Sequence, residues 1–358
     1  MNGVLASDNI DGDITSDITT TGSVDVNTAG TYTINYSAKD SSGNEATEVT
    51  RIVKVADNIL VAGEKSTNVF GYSTLQRSDI ATITFADTNT VPEGATELGD
   101  VGTTKNETVI AWYTPNADNS SLYDLTIGGY GKVKGNDNCN YLFYGYTNLT
   151  SIDFANFDTS NVTNMSQMFN GASGLTDLDL SSFNTSNVTS MQYMFVNTSN
   201  LTRLDLSNFD TSNVTNMLGM FQNATGLTSL DLSSFDTSNV TTMVQMFSGT
   251  SKLTSLDLSN FNTSQVTTMQ SMFQAASSLT SLDLSSFDTS NVTTMTQMFY
   301  QTGSLTNIDF RNAVFTSVTG SSSMFNGIKA GATVTVKDAA AQSFLQSLYT
   351  SGVYVIAP

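Results

Sequence analysis

Leu227-Thr-Ser-Leu-Asp-Leu-Ser-Ser-Phe-Asp-Thr-Ser-Asn-Val-Thr-Thr-Met-Val-Gln-Met-Phe247 is one copy of a unit that begins again at Leu149, Leu175, Leu201, Leu253 and Leu279, and in degraded form at Leu305. The period is 26 residues. Self-similarity at this spacing means stacked supersecondary units in place of a conventional globule. Within the unit, Leu230 and Leu232 alternate with polar residues, as in a strand. Val240, Met243, Met246 and Phe247 instead follow three- and four-residue steps, as on one face of a short helix or 3₁₀ turn. Each unit therefore reads as a strand, a corner and a helical return.

One such coil cannot bury its apolar side alone. Stacking sets each Leu, Met and Phe on its counterpart in the next coil and builds one continuous core, at roughly 1.5–3 kcal/mol per fully buried large side chain. Every methionine except Met1 lies between Met165 and Met324, at regular spacing that suits core filling better than a Met-rich partner groove. At the corners, Asp236, Thr237, Ser238 and Asn239 read as caps for neighbouring backbone groups. The Asn-Val-Thr triplets at Asn161, Asn187, Asn213, Asn239 and Asn291 are formal glycosylation sequons, but in this register they read as an internal amide ladder, with Gln265 standing in one unit.

A stack needs covered ends. Upstream, Ile80 to Phe85, Val109 to Tyr113 and Leu122 to Ile127 read as strands turned by Gly128, Gly129 and Gly131, and Tyr141-Leu142-Phe143 reads as a partial preceding unit. Downstream, Val334 to Val336 reads as a strand, Asp338 as the N-cap of a helix from Ala339 to Leu348, and Val353 to Ile356 as a last strand. The expected fold class is mostly β with short helices. The expected organisation is a β segment over 1–56, a linker and N-terminal cap over 57–148, the repeat solenoid over 149–328, and a C-terminal cap over 329–358.

Ile83-Thr-Phe85, Ala111-Trp112-Tyr113, Ile127-Gly-Gly129 and above all Phe-Asp-Thr-Ser-Asn-Val-Thr with Met-x-x-Met-Phe resemble the BspA-like leucine-rich-repeat surface proteins, over roughly residues 75–358. The resemblance implies a leucine-rich-repeat solenoid and an adhesin or host-interaction role. It transfers no site residue by residue, and no lipid-attachment cysteine or sorting motif accompanies it here.

Residues 1–56 have another texture. Tyr32, Ile34, Tyr36 and Ala38 alternate strictly, a turn follows at Asp40 to Asn44, and Glu48 to Val55 reads as the return strand. With its Asp-Gly-Asp-Ile-Thr stretch and Gly-Thr-Tyr strand, the segment resembles the bacterial immunoglobulin-like modules of surface and phage structural proteins. The usual first strands are missing, so the reading is a small, incomplete β-sandwich that another chain could complete, docking it to a larger cell-surface or virion assembly. Asp8, Asp11 and Asp13 are the candidate oxygen ligands for a calcium ion, although their spacing does not complete an EF-hand loop. A solvated turn is the alternative, and no other cofactor is expected.

Charge and composition narrow the function. A net charge of −19 repels phosphate backbones, which argues against nucleic acid as a partner. Cys139 is alone and there is no histidine, so the commonest general base, the commonest metal ligand and any intrachain disulfide are missing. The first residues lack the basic start and apolar core of a signal peptide, and no stretch approaches the length of a membrane span. The chain thus reads either as a piece of a longer exported protein or as a protein that reaches its site without a secretion signal.

The Asp between the strand leucines recurs at Asp153, Asp179, Asp205, Asp231, Asp257, Asp283 and Asp309. Strands stacked at about 4.8 Å would align these carboxylates in an outward row, flanked by Ser181, Ser207, Ser233, Ser259 and Ser285. Such a stripe is either a solubilising surface or a ligand-facing one, and its flatness suits extended contact better than a pocket. Because the carboxylates recur identically in every coil, they do not make the singular arrangement an active site requires, and no enzyme is expected. The expectation is a non-enzymatic adhesion module on the extracellular bacterial cell surface, binding a host-cell surface protein or glycan. A phage virion appendage is the alternative, and an ice- or polysaccharide-binding protein a more distant one.

Overall fold

The computed structural model describes residues 4–25 and 28–358. The chain is mostly β, with a single α-helix among the described residues. At the N-terminus, β1 (Ser7–Asp8) and β2 (Gly12–Asp13) form an antiparallel ribbon, and β3 (Thr19–Thr21), β4 (Gly30–Ser37) and β5 (Val49–Val55) form an antiparallel sheet. The Asp40 carboxylate builds the turn after β4 by accepting from the Ser42 and Asn44 N–H groups. Among the described residues of this N-terminal unit, Ile14, Ile18 and Ala38 form its own small buried core. An ion pair from Lys54 to Glu107, 2.9 Å long, links it to the next part of the chain.

The N-terminal cap contains β6 (Asn68–Val69), β7 (Tyr72–Gln76), β8 (Ile80–Ala86), β9 (Thr96–Asp100), β10 (Val109–Pro115), β11 (Tyr123–Gly129) and β12 (Val133–Lys134). The first coil supplies β13 (Ser151–Asp153) and β14 (Phe157–Asp158), and the large sheet runs β13-β8-β11-β10-β9. Because β13 lies parallel to β8, the cap passes its ladder directly to the repeats. Arg77 locks this junction. It is 2 % exposed, donates from Nε to the Asn68 carbonyl and from Nη1 to those of Tyr141 and Tyr144, and stacks 5.2 Å from the Tyr146 ring.

The repeats follow as coils stacked in register. A chain of parallel bridges joins Asn138, Asn164, Ser190, Asn216, Thr242, Thr268, Thr294 and Gly320. The core is a set of columns, clearest in Phe143, Phe169, Phe195, Phe221, Phe247, Phe273, Phe299 and Phe325, whose successive rings stack 5.4 to 5.8 Å apart. Offset aromatic stacking adds to burial at each step. Tyr349 closes the column on Phe325 at 5.4 Å.

Two expectations fail here, each for a physical reason. The Met-x-x-Met-Phe return is not helical: Met165, Gln167, Phe169 and Gly171 give their N–H groups to the next coil, at Ser190, Gln192, Met194 and Val196, while overlapping turns bond Met168 to Met165 and Ala172 to Phe169. Two residues per coil, such as Gln167 and Gly171, take positive φ. Alternating N–H groups committed across the stack leave no α-helical ladder, yet successive turns place apolar side chains at the same three- and four-residue steps. Short helices are therefore not part of the repeat.

Nor is the strand side a continuous ladder. Strands are present in the first coil as β13 and in the last two as β15 (Ser281–Asp283) and β16 (Asn307–Phe310), but the four coils between have none. Pairing occurs where the neighbour of the Asp is not a bare carboxylate: Asp153 faces Thr84, Asp309 faces Thr335, and Asp283 faces Asp309, which Arg311 neutralises. In the middle coils carboxylate would face carboxylate, and like charges directly opposite destabilise a ladder. There, side chains bridge the coils instead, with Asn208, Ser234 and Asn260 donating to the carbonyls of Leu180, Leu206 and Leu232.

The C-terminal cap adds β17 (Thr333–Val336), α1 (Ala339–Leu348) and β18 (Val353–Ile356), continuing a parallel sheet β15-β16-β17-β18. Asp338 caps α1 by accepting from the Ala341 N–H at 2.8 Å. The helix buries Ala341 and Leu345 against the open end of the core.

Candidate binding face

Each coil builds the same outward corner. The leucines on either side of Asp231 point inward and are buried, so Asp231 points out, and its carboxylate turns back to accept the Ser233 N–H at 2.9 Å. The same bond joins Asp179 to Ser181, Asp205 to Ser207, Asp257 to Ser259 and Asp283 to Ser285, while Asp153 accepts from Ala155 and Asp309 from Arg311. These Asx turns explain why Asp-Leu-Ser recurs: the acid fixes the bend that follows the strand.

The bond also sets the charge. Hydrogen bonds from Ser207, Ser233 and Ser259 hold Asp205, Asp231 and Asp257 below the usual carboxylate range, outweighing burial and the neighbouring acids that push Asp231 the other way. At Asp309 burial opposes ionisation, but the hydrogen bonds to Arg311 prevail and its pKa is lowered.

The expected row is therefore present but not uniform. Asp153, Asp179, Asp205, Asp231, Asp257 and Asp283 are exposed, whereas Asp309 is half-buried and paired with Arg311. Ser181, Ser207, Ser233 and Ser259 are exposed and Ser285 is half-buried; their N–H groups are spent on the aspartates. Where the ladder is open, Asp179, Asp205, Asp231 and Ser207 line a cleft of about 580 Å³ together with Asp177 and Arg203. A smaller groove of about 110 Å³ contains Asp231, Ser233, Asp257 and Ser259. The face is thus more relieved than the flat stripe read from the sequence.

Asp177 and Arg203 were not singled out by sequence reasoning. The signal lay in the register: the same position is Ser151, Ser229, Ser255 and Ser281 in other coils. Among the described residues no carboxylate comes within ion-pair distance of Arg203.

On the adjoining corner, Asn187, Asn213, Asn239 and Asn291 donate from Nδ2 to serine carbonyls one coil back, at 2.7 to 2.8 Å. The sequon amides act as the ladder their spacing predicts, although on an exposed edge of the stack.

The candidate calcium ligands do not converge. Asp8 accepts from the Ile10 and Asp11 N–H groups, Asp13 from that of Thr15, and Asp11 from the Ser41 N–H and hydroxyl. Among the described residues no group of three or more acidic, Cys or His side chains is placed to hold a metal ion. Asp8 and Asp13 close local turns, whereas Asp11 ties the ribbon to the turn that follows β4 at Ser41.

Against known families, residues 137–230 and 226–335 match the model described as "Mycoplasma protein of unknown function, DUF285", in two copies that together span more than half of the chain. The chain belongs to this family. Residues 1–55 match "Bacterial surface protein, Ig-like domain", so a bacterial surface immunoglobulin-like domain precedes the repeats. No curated protein and no solved structure matches the chain. Among the described residues no helix is long and apolar enough to cross a membrane.

Proposed function

We propose that this chain is a non-enzymatic adhesion module of the bacterial cell surface, in which a leucine-rich-repeat-type solenoid, similar to the BspA-like proteins, presents its acidic strand side to a host protein or glycan. The observation that carries the reading is the row of exposed aspartates held ionised and fixed in direction by one bond per coil, beside a domain typical of bacterial surface proteins. Fixed carboxylates and hydroxyls reduce the ordering cost of contact and suit a basic or hydroxyl-rich partner over several coils. Repetition of one geometry supports adhesion over catalysis, since a reaction needs a singular constellation.

The test is binding of the full chain to immobilised host-matrix proteins and a glycan array, compared with a variant carrying Asp205→Asn, Asp231→Asn and Asp257→Asn. The Asn side chains keep the turn acceptor and remove the charge. The expected result is saturable binding, weakened at high salt and lost in the variant. Binding that the triple variant retains in full would move the ligand site off this face, and binding to neither class would remove the adhesion reading.

A further inference from the structure

We infer that β18 is a docking edge for a second copy of this chain, joining two molecules tail to tail through one continuous sheet. Among the described residues, β18 has β17 as its one strand neighbour. The N–H groups of Val353 and Ala357 point to β17, where they bond the Ala332 and Val336 carbonyls, so by alternation those of Tyr354 and Ile356 point away from it. An edge of this kind is completed by another extended strand.

The side chains agree with the backbone. Along the outward face of the terminal sheet, matched positions run Ser281 and Asp283, Asn307 and Asp309, Thr333 and Thr335, then Val353 and Val355. The surface passes from charged to neutral polar to apolar as it nears the edge. Val353, Val355 and Ile356 are 52 %, 46 % and 47 % exposed, so both faces of the strand carry uncovered apolar groups. No Lys, Glu or Pro guards the strand.

The occupant follows from charge and from the opposite end. A chain of net charge −19 repels its copies along most of its surface, but residues 339–358 contain no Asp, Glu, Lys or Arg. Close approach of two copies costs least there. The other open edges are guarded: β9 carries Glu97 and Asp100 and pairs with β10 through an irregular register, and in the N-terminal sheet β3 has three residues while β5 exposes Val49 and Ile52 but carries Arg51 and Lys54, features that discourage strand addition. Head-to-tail growth is thereby blocked, and the closed arrangement that remains is a two-fold, antiparallel β18 pair. Centred on Val355, it lets Tyr354 and Ile356 exchange backbone bonds with the second copy while the two Val355 side chains meet at a non-hydrogen-bonded position. Four residues bury well under the ~1,200 Å² of a standard interface, so the dimer is reversible and concentration-dependent.

The experiment is sedimentation equilibrium of the full chain and of Val355→Lys over a wide concentration series, with thermal melting to confirm that both are folded. A monomer–dimer equilibrium in the parent and a monomer in the variant, at unchanged melting temperature, is the expected result. Val355→Cys adds a positive readout that does not depend on a loss. Cys139 is buried and its thiol is pushed up to about 12 by that burial, so the new thiol is the reactive one. Directly opposed Cα atoms at such a position lie ~4.5 Å apart, within disulfide range. Mild oxidation should give a covalent dimer much faster than in Thr350→Cys, an exposed control outside the strand. A parent that stays monomeric, a dimer that survives Val355→Lys, or equal cross-linking of the two cysteine variants overturns the proposal.

Discussion

The Thr211 hydroxyl donates to the Asp236 carbonyl at 2.9 Å and accepts the Asp236 N–H at 2.9 Å, so one buried side chain satisfies both backbone groups of a residue in the next coil. Thr159, Thr185, Thr237 and Thr289 make the same double bond to Asn184, Asp210, Asn262 and Val314. These threonines are 1 % exposed or less, out of reach of replacement water. Thr237→Val keeps the shape but strands the N–H and carbonyl of Asn262. A loss of about 1–3 kcal/mol is expected, read as a lower urea midpoint at unchanged slope, and Thr237→Ser should recover most of it.

The open middle of the strand side is attributed to facing carboxylates, which is a claim about charge and therefore about salt. Neutralising Asp205, Asp231 and Asp257 together to Asn keeps each turn acceptor and removes the repulsion. Because the turn bonds outweigh the neighbouring acids at Asp231, the charge-assisted part of those bonds is lost together with the repulsion, and the signature is the salt dependence: relative to the parent, the triple variant should melt highest in low salt and lose ground as salt is added. A difference that salt does not touch would mean that something other than repulsion keeps those coils apart.

Arg77 is a buried cation whose partners are carbonyls and a ring, with no carboxylate among them. Its planar fork reaches three oxygens on two segments at once, which a lysine ammonium cannot reproduce in the same space. Arg77→Lys should cost about 2 kcal/mol or more and loosen the cap before the coils. Hydrogen exchange that rises at residues 68–77 and 141–146 while the amides of the later coils stay protected is the expected pattern; uniform loss of protection would show that cap and coils melt as one unit.

Much of this architecture was legible in the chain because a repeat shows each structural decision several times. The inward leucines, the methionine and phenylalanine columns and the capping helix with Asp338 follow directly from spacing. The return segment was misread because overlapping turns and a helix place apolar residues at the same steps. What separates them, the positive φ of residues such as Gln167 and Gln245, leaves little trace in residue types that are common everywhere. The strand side was misread for a different reason: alternation reports which way side chains point, and says nothing about whether neighbouring backbones can close against a row of like charges. Arg203 and Asp177 were visible only as departures from the repeat, and a reading built on the consensus averages such departures away.

Acid should unfold the stack through its second set of turns. Asp210, Asp236 and Asp288 are held below the usual carboxylate range first by the hydroxyls and then by the N–H groups of Ser212, Ser238 and Ser290. A folded-state pKa below the unfolded one contributes stability that is present above the unfolded value and is lost as pH falls through the folded one. Melting temperature should therefore stay level from neutrality down to about pH 5 and fall below about pH 4. The chain contains its own control: Asn184 and Asn262 occupy the same position in two coils and accept the Ser186 and Ser264 N–H groups at 3.0 Å, so an uncharged amide suffices for the turn. Replacing Asp210, Asp236 and Asp288 together by Asn should leave the fold intact at neutral pH and flatten the acid limb of the melting profile. An acid limb unchanged by the triple replacement would transfer the sensitivity to carboxylates elsewhere, with the Asp8 and Asp13 turns and the Arg311–Asp309 pair next to be tested.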